Sequence, residues 1–373
     1  MQKLIFAHQL RGLAALLVVA SHLIGVYWGM RDVVAQVTFS PPLEAHIPPI
    51  VAVAFQPYYL LGPLGVSLFF LISGFVISFS ISKSRRLPFL LARLFRIYPT
   101  YVICSLASLS IVALSALYWG QDFQMDWNKL ISNLLLIHNY AGYGSIDLVN
   151  WSLAIEIKFY LLMALIAPLI VRQRVYPLFV ISLVTLALHW FHTPLIHFFS
   201  HEPTNSWLRA FTTEMLYISY MLIGVLFYYH YSARLSHLAF ALYLLALSGI
   251  NSITWAYGML EHQFPAVTIN YGYAIAIFLL AYTLRGYFRP QLLLDQLGNI
   301  SYPLYIVHSL VGYSLMRILM DLQLSYEQSL VIALTTAMVL AYTMHRLIEL
   351  PSNRLGKQLA AGFAPPTTVL GKS

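Results

Sequence analysis

The first long apolar stretch of the chain, LRGLAALLVVASHL at residues 10–23, carries an arginine near its start and a histidine near its end. With the apolar residues on either side, this stretch is long enough for a membrane-spanning helix. Ionisable side chains are costly inside such a helix and usually serve a function. The two residues are eleven positions apart. We therefore expect Arg11 and His22 on one helix face, roughly 16 Å apart along the axis.

This pair of side chains allows two interpretations. A cation toward one membrane surface and an imidazole toward the other would suit a reaction that works across the bilayer. Alternatively, Arg11 extends its guanidinium to the lipid headgroups, and His22 is a buried residue held by a hydrogen bond. The pair alone does not decide between the two.

The composition is that of a polytopic membrane protein. Of the 373 residues, 60% are hydrophobic and 9% are charged, which is more apolar than a soluble domain. Apolar runs of spanning length can be placed ten times. They lie near residues 5–28, 60–81, 97–118, 151–171, 175–191, 211–230, 237–257, 268–285, 301–320 and 328–348. The sequence therefore predicts an all-α integral membrane protein with about ten transmembrane helices.

The placement of lysine and arginine predicts the orientation. These residues concentrate in the even-numbered connections and near the C-terminus, whereas the other loops hold only Arg31, Lys129 and Arg209, with Arg317 near a helix end. Basic loops remain on the cytoplasmic side, so both termini are predicted to be cytoplasmic. This bias also accounts for the net charge of +8, and no nucleic-acid partner is expected.

The chain is predicted to form one membrane domain over residues 1–350, followed by a short cytoplasmic tail over residues 351–373. The tail contains Pro365 and Pro366 and shows no periodicity, so we expect it to be disordered. The first apolar segment is too long for a signal peptide and is predicted to be retained. The single cysteine excludes an intramolecular disulfide. The histidines lack paired ligand spacing, so no metal site is expected.

The second span contains the segment GVSLFFLISGF at residues 65–75. Gly65 and Gly74 have no side chain, and small residues of this type let membrane helices approach each other closely. Ser73 lies near mid-membrane, where its hydroxyl can hydrogen-bond a neighbouring helix or a substrate.

A basic segment, RLFRIYP at residues 93–99, opens the third span. Arg93 and Arg96 are three residues apart, so they project from the same side of a helix. Arginine pairs of this kind suit bidentate contacts with phosphate. The alternative is that they set the topology beside the lipid headgroups.

The fourth span begins WSLAIE at residues 151–156. Glu156 is expected about 7–8 Å below the membrane interface marked by Trp151. His22 lies at a similar depth below its own interfacial aromatic residues, so the two side chains could meet, and Glu156 is expected to orient His22 or a nearby group. A carboxylate beside an imidazole would raise the basicity of the imidazole and fix the tautomer of the ring.

The ninth span places Tyr302 and His308 in the segment GNISYPLYIVH at residues 298–308. An imidazole in mid-membrane can take part in chemistry, or it can hydrogen-bond one helix to another. The sequence leaves both roles open for His308.

Taken together, these segments resemble the acyltransferase-3 family of bacterial integral-membrane O-acyltransferases. The resemblance rests on five stretches in the family's order, at residues 10–22, 65–75, 93–99, 151–156 and 298–308. It covers roughly residues 4–350. The chain departs from the family pattern at Gln9, Ser67 and Ile157, where the family often has acidic residues.

The resemblance implies a multi-pass enzyme of the bacterial inner membrane. It implies transfer of an acyl group, with acetyl expected, from cytoplasmic acyl-coenzyme A to a hydroxyl of an extracytoplasmic glycan. O-antigen, capsule, exopolysaccharide or another lipid-linked saccharide would serve as the acceptor. No metal is implied. The expected site residues are the catalytic His22 and Glu156, the coenzyme A-binding Arg11, Arg93 and Arg96, and the pocket residues Ser73, Tyr302 and His308.

A second function class also fits the sequence. A transporter or flippase of a lipid-linked or small organic substrate would equally have many helices and buried ionisable residues, although such proteins more often show internal repeats. The sequence does not distinguish acetyl from succinyl or longer acyl groups, or an acyl-histidine intermediate from direct transfer. The acceptor, the oligomeric state and a separate periplasmic partner also stay open.

Overall fold

The computed structural model describes residues 4–199 and 201–363, and in this part of the chain all regular structure is helical. Short 3₁₀ helices lie at Pro49–Phe55 and Glu261–Gln263. The main helices are α1 (Ile5–Gly29), α2 (Arg31–Thr38), α3 (Leu61–Ile81), α4 (Arg86–Tyr118), α5 (Trp127–Leu134), α6 (Asn150–Leu165), α7 (Ala167–Val171), α8 (Tyr176–Trp190), α9 (His192–Phe198), α10 (Thr204–Tyr231), α11 (His237–Tyr257), α12 (Thr268–Thr283), α13 (Leu292–Asp321) and α14 (Tyr326–Gly362).

Each of the ten predicted spans contains a helix, but the helices differ in length. Seven of the described helices, α1, α3, α4, α10, α11, α13 and α14, are long and apolar enough to cross a membrane. An eighth span results if α8 and α9, bent by 66° at their junction, count as one. The other two predicted spans, residues 151–171 and 268–285, contain α6 and α12, which are helices of 16 residues each. The all-α membrane class is therefore confirmed, whereas ten crossings and cytoplasmic termini stay predictions.

The prediction of a disordered tail from residue 351 is wrong for residues 351–362. These residues belong to α14, which continues through a π-helical turn at His345–Glu349 and ends at Gly362. The segment is ordered by packing, because Ser352 and Gly356 are buried and Gly356 lies directly against Phe95 of α4. Residues 364–373 lie outside the described part of the chain.

Helix α1 packs against α3 and α13, which are, with α10, the most buried of the described spans. Helix α13 also contacts α4 and α14, and α3 contacts α10. Basic side chains gather where α3 ends at Ile81 and α4 begins at Arg86, close to the start of α1. We call this side of the molecule the basic end.

Glycines bring the central helices into backbone contact. A Cβ atom on Gly74 of α3 would lie 2.0 Å from the Met221 carbonyl oxygen of α10, and one on Gly224 would lie 2.3 Å from the Leu71 carbonyl oxygen. Gly12 of α1 approaches Gly298 of α13 in the same way. Small residues permit such close packing in membranes, where van der Waals contact between helices replaces the hydrophobic effect. The expectation of a packing role for Gly74 is thus met.

The α3–α10 contact can be tested by adding one methyl group. Gly224→Ala should destabilise the protein by about 1–3 kcal/mol, because the new Cβ meets backbone atoms that cannot rotate away. Gly249→Ala in α11 is the matched control, since no atom lies within 4 Å of its added Cβ. Melting temperatures in detergent should fall for Gly224→Ala and stay level or rise for Gly249→Ala. Equal melting temperatures in the two variants would contradict the close contact.

Candidate active site

A cavity of about 520 Å³ lies near the basic end and is lined by residues of α1, α3, α4, α6 and α10. Five of the predicted site residues line it together: Arg11, Ser73, Arg93, Arg96 and Glu156. Lys83, which the sequence analysis did not assign to the site, is also part of the wall. Of the described side chains that line the cavity, four are cationic and one is a carboxylate. The cavity therefore favours an anionic ligand.

The arginines of this cavity have few partners in the protein. Nη2 of Arg93 donates a hydrogen bond to Ser80 Oγ at 2.7 Å, whereas its Nε and Nη1 are buried without a partner. Arg93 also packs against the ring of Tyr160, with 5.8 Å between its Cζ and the ring centroid. Arg11 and Arg96 donate no hydrogen bond to another described residue. Because unpaired buried donors are costly, the Nε and Nη1 groups of Arg93 are well suited to receive a ligand, and the guanidinium groups of Arg11 and Arg96 line the same cavity.

Glu156 supplies the negative charge of the cavity. Its Oε1 accepts hydrogen bonds from Ser73 Oγ at 2.8 Å and from the hydroxyl of Tyr160. The carboxylate is close enough to Arg11 and Arg93 to attract both cations. Glu349 of α14 also attracts Arg11, although it does not line the cavity.

The predicted pairing of Glu156 with His22 is wrong. The hydrogen bonds of Glu156 go to Ser73 and Tyr160, whereas that of His22 goes to Tyr313 of α13. The prediction compared the depths of Glu156 and His22 on two separate helices. Depth alone does not determine which way a side chain faces. In the structure α6 packs against α3 and α4, so Glu156 points toward the arginines.

The two predicted histidines lie together nearer the other end of α1. The rings of His22 and His308 meet edge to face with 5.0 Å between their centroids. His22 lies in a π-helical turn of α1, Ser21–Val26, a feature that is frequent at functional sites. His308 is fully buried; its Nδ1 lies 3.0 Å from the Leu304 carbonyl oxygen, and its Nε2 has no partner. Thus His308 belongs with His22 and not with the basic cavity.

Tyr313 orients the imidazole of His22. Its hydroxyl lies 2.7 Å from His22 Nδ1, and a hydroxyl can donate or accept. In the tautomer in which Nδ1–H donates to the tyrosine oxygen, Nε2 carries a free lone pair and can act as a base. The sequence analysis did not single out Tyr313, because its contact with His22 depends on how α1 and α13 pack.

Asp147 is a second residue near this group that the sequence analysis did not assign to the site. It lies in the loop before α6, and its carboxylate is close enough to Tyr305 and Tyr313 to interact with their hydroxyls electrostatically. Its Oδ1 accepts backbone hydrogen bonds from Val149 and Asn150, and its Oδ2 is buried without a partner. Burial raises the pKa of the Asp147 carboxyl, and the hydrogen bonds oppose this change.

A small cavity of about 40 Å³ adjoins the basic cavity. The two share Arg11, Phe69, Ser73 and Glu156 in their walls. The predicted pocket residue Tyr302 lines the small cavity, and its hydroxyl donates to the Ile97 carbonyl oxygen at 2.9 Å.

Tyr305 connects the small cavity to the histidines. It lines the cavity, its hydroxyl is 2.7 Å from Ser152 Oγ, and its ring centroid is 6.0 Å from that of His308. Neither His22 nor His308 lines the walls of the two cavities. The site therefore has two parts, with Tyr305 in contact with both.

Within residues 4–199 and 201–363, no group of three His, Cys, Asp or Glu side chains is placed to hold a metal ion. The hydrogen-bond donors of the site are guanidinium, ammonium, hydroxyl and imidazole groups. Such groups bind anions and transfer protons.

The family comparison covers the part of the chain that contains this site. The acyltransferase domain model, Acyl_transf_3, matches residues 4–345, which is nearly the whole chain and includes every residue of the two cavities and the histidine pair. Comparisons with curated proteins and with solved structures gave no match. The chain belongs to the acyltransferase-3 family and is a multi-pass membrane acyltransferase.

Proposed function

We propose that the protein transfers an acetyl group from acetyl-coenzyme A, bound at the basic end, to a hydroxyl of a glycan on the other side of the bacterial inner membrane. The observation that carries this proposal is the cavity at the basic end, in which cationic side chains outnumber the single carboxylate. Coenzyme A is an anionic donor, because it carries several phosphate groups. The family match favours acyl transfer over the transporter or flippase alternative.

The phosphates of coenzyme A would bind to Lys83, Arg93 and Arg96. The two arginines project into one cavity from adjacent turns of α4, as bidentate phosphate contacts require. The unpaired Nε and Nη1 of Arg93 would gain partners there. A volume of about 520 Å³ is within the range of about 300–1,000 Å³ typical of small-molecule sites.

His22 would receive the proton of the acceptor. The acceptor oxygen attacks the thioester carbonyl carbon, its proton passes to Nε2 of His22, and the carbon–sulfur bond breaks. The coenzyme A sulfur then takes up a proton and leaves as the thiol. In the alternative order, the acyl group passes first to His22 and then to the acceptor, so that the same bonds form and break in two steps.

Tyr305 would have to move during this reaction. It lines the small cavity and its ring packs beside His308, whereas His22 lies beyond them. A thioester that enters from the basic end therefore meets Tyr305 before it meets His22. Rotation of this side chain would break its hydrogen bond with Ser152 and join the two parts of the site.

Loss of the His22 imidazole should abolish most of the transfer. A positioned base contributes about 10²–10⁴-fold to a rate, so His22→Ala should lose at least about 100-fold while it still folds. The measurement is release of coenzyme A from acetyl-coenzyme A by purified protein in detergent, with cell-envelope glycan added. His262→Ala, in an exposed 3₁₀ turn, is the control and should keep the wild-type rate. An undiminished rate in His22→Ala would contradict its assigned role, and no release by the wild type would contradict the proposed function.

Removal of one phosphate-binding arginine should weaken donor binding more than turnover. Arg96→Gln should raise the KM for acetyl-coenzyme A by about 10–100-fold, because a hydrogen bond to a charged group contributes about 1.5–3 kcal/mol. Arg96 has no hydrogen bond within the described chain, so folding should be preserved. Arg86→Gln, at the start of the same helix but outside the cavity, should leave KM unchanged. A drop in kcat without a change in KM would place Arg96 outside the donor site.

A further inference from the structure

We infer that the small cavity holds the acyl group of the donor and restricts it to acetyl, with Val66, Phe70 and Leu153 as the wall that sets this limit. The inference rests on the proposed function, because it takes an acyl-coenzyme A in the basic cavity as the donor. It adds a binding site for the acyl group and the residues that select its length.

The position of the small cavity relative to the phosphate-binding side chains supports this assignment. Lys83, Arg93 and Arg96 line the basic cavity but not the small one, whereas Arg11 and Glu156 line both. In acyl-coenzyme A the thioester lies at the other end of the molecule from the phosphates. With the phosphates at the basic end, the acyl group therefore points toward the small cavity.

The size of the small cavity matches a short acyl group. Its volume is about 40 Å³, less than a tenth of the 520 Å³ of the basic cavity. On the same scale the small cavity therefore has room for a short group only. An acetyl group has three non-hydrogen atoms, whereas a butyryl group has five and a succinyl group has seven.

The part of the small-cavity wall formed by Val66, Phe70 and Leu153 is well packed and cannot easily recede, whereas Tyr305 is the lining side chain that moves. Val66, Phe70 and Leu153 are buried, with at most 6% of each exposed. The Phe70 ring packs against Tyr217 with 5.8 Å between centroids. Tyr302 is fixed by its hydrogen bond to the Ile97 carbonyl. Each added carbon would have to displace these side chains, and overpacking of this kind is unfavourable.

The test compares donors of different length. Coenzyme A release by purified wild-type protein, with cell-envelope glycan as acceptor, is measured from acetyl-, butyryl- and succinyl-coenzyme A. One extra methylene in a fitted apolar pocket changes kcat/KM by about 10–200-fold, so the wild type should favour acetyl over butyryl by at least about tenfold. Leu153→Ala should lower this acetyl-to-butyryl ratio by about tenfold, because it opens the wall where the chain would extend.

Control variants separate a change in donor selectivity from a general loss of activity. Ile155→Ala removes a buried side chain from the same helix that lines neither cavity, so it should keep the wild-type ratio. Val66→Ala opens the wall from α3 and should shift the ratio in the same direction, which covers the case that Leu153→Ala does not fold. Equal use of all three donors by the wild type, or an unchanged ratio in both cavity variants, would overturn the inference. Release from no donor at all would instead contradict the proposed function.

Discussion

The cost of holding several cations inside a membrane domain is the constraint on which the rest of this structure depends. Arg11, Arg93 and Arg96 come from two different helices and share one cavity, with Glu156 as the carboxylate in its wall. Charges in this environment persist only when they are paired or serve a ligand. The protein provides part of the compensation through Glu156 and through the aromatic ring of Tyr160. The remainder has to come from an anion, which supports the proposed binding of a phosphate-bearing donor in this cavity.

Helix α1 connects this charged cavity to the histidine pair in the other part of the site. It contributes Arg11 to both cavities and carries His22 three turns later, in its π-helical turn. Its contact with α13 brings His308 and Tyr313 to His22. Close packing of α1 and α13 is possible because Gly12 and Gly298 have no side chains there. The backbone contact of two helices thus determines the geometry of the imidazole pair.

Much of this organisation could be predicted from the sequence where local spacing determines the outcome. Arg93 and Arg96 line one cavity because a separation of three residues places them on one side of a helix. Ser73 was expected to face a neighbouring helix or a substrate, and it donates to Glu156 in that cavity. The apolar runs of spanning length predicted the all-α membrane class, because backbone groups in lipid require helices or closed barrels.

Features that depend on how helices face one another could not be predicted in this way. Glu156 was assigned to His22 from depth alone, but its helix turns it toward the arginines. The contact between His22 and His308 joins residues 286 positions apart, and no local pattern encodes it. The helical segment after residue 350 is stabilised by packing against α4, which its own composition does not indicate. In each case a tertiary contact determines the conformation or the partner of the residue. Such a contact cannot be read directly from a single sequence.

In the proposed reaction, donor and acceptor reach the protein from opposite faces of the membrane. The decisive experiment uses proteoliposomes that enclose cell-envelope glycan, to which acetyl-coenzyme A labelled in the acetyl group is added outside. Both orientations of the protein can be present, because the donor reaches only molecules whose basic end faces outward. We expect labelled acetyl on the enclosed glycan, and loss of this label in His22→Ala. Transfer that occurs only when glycan and acetyl-coenzyme A are on the same side would contradict it.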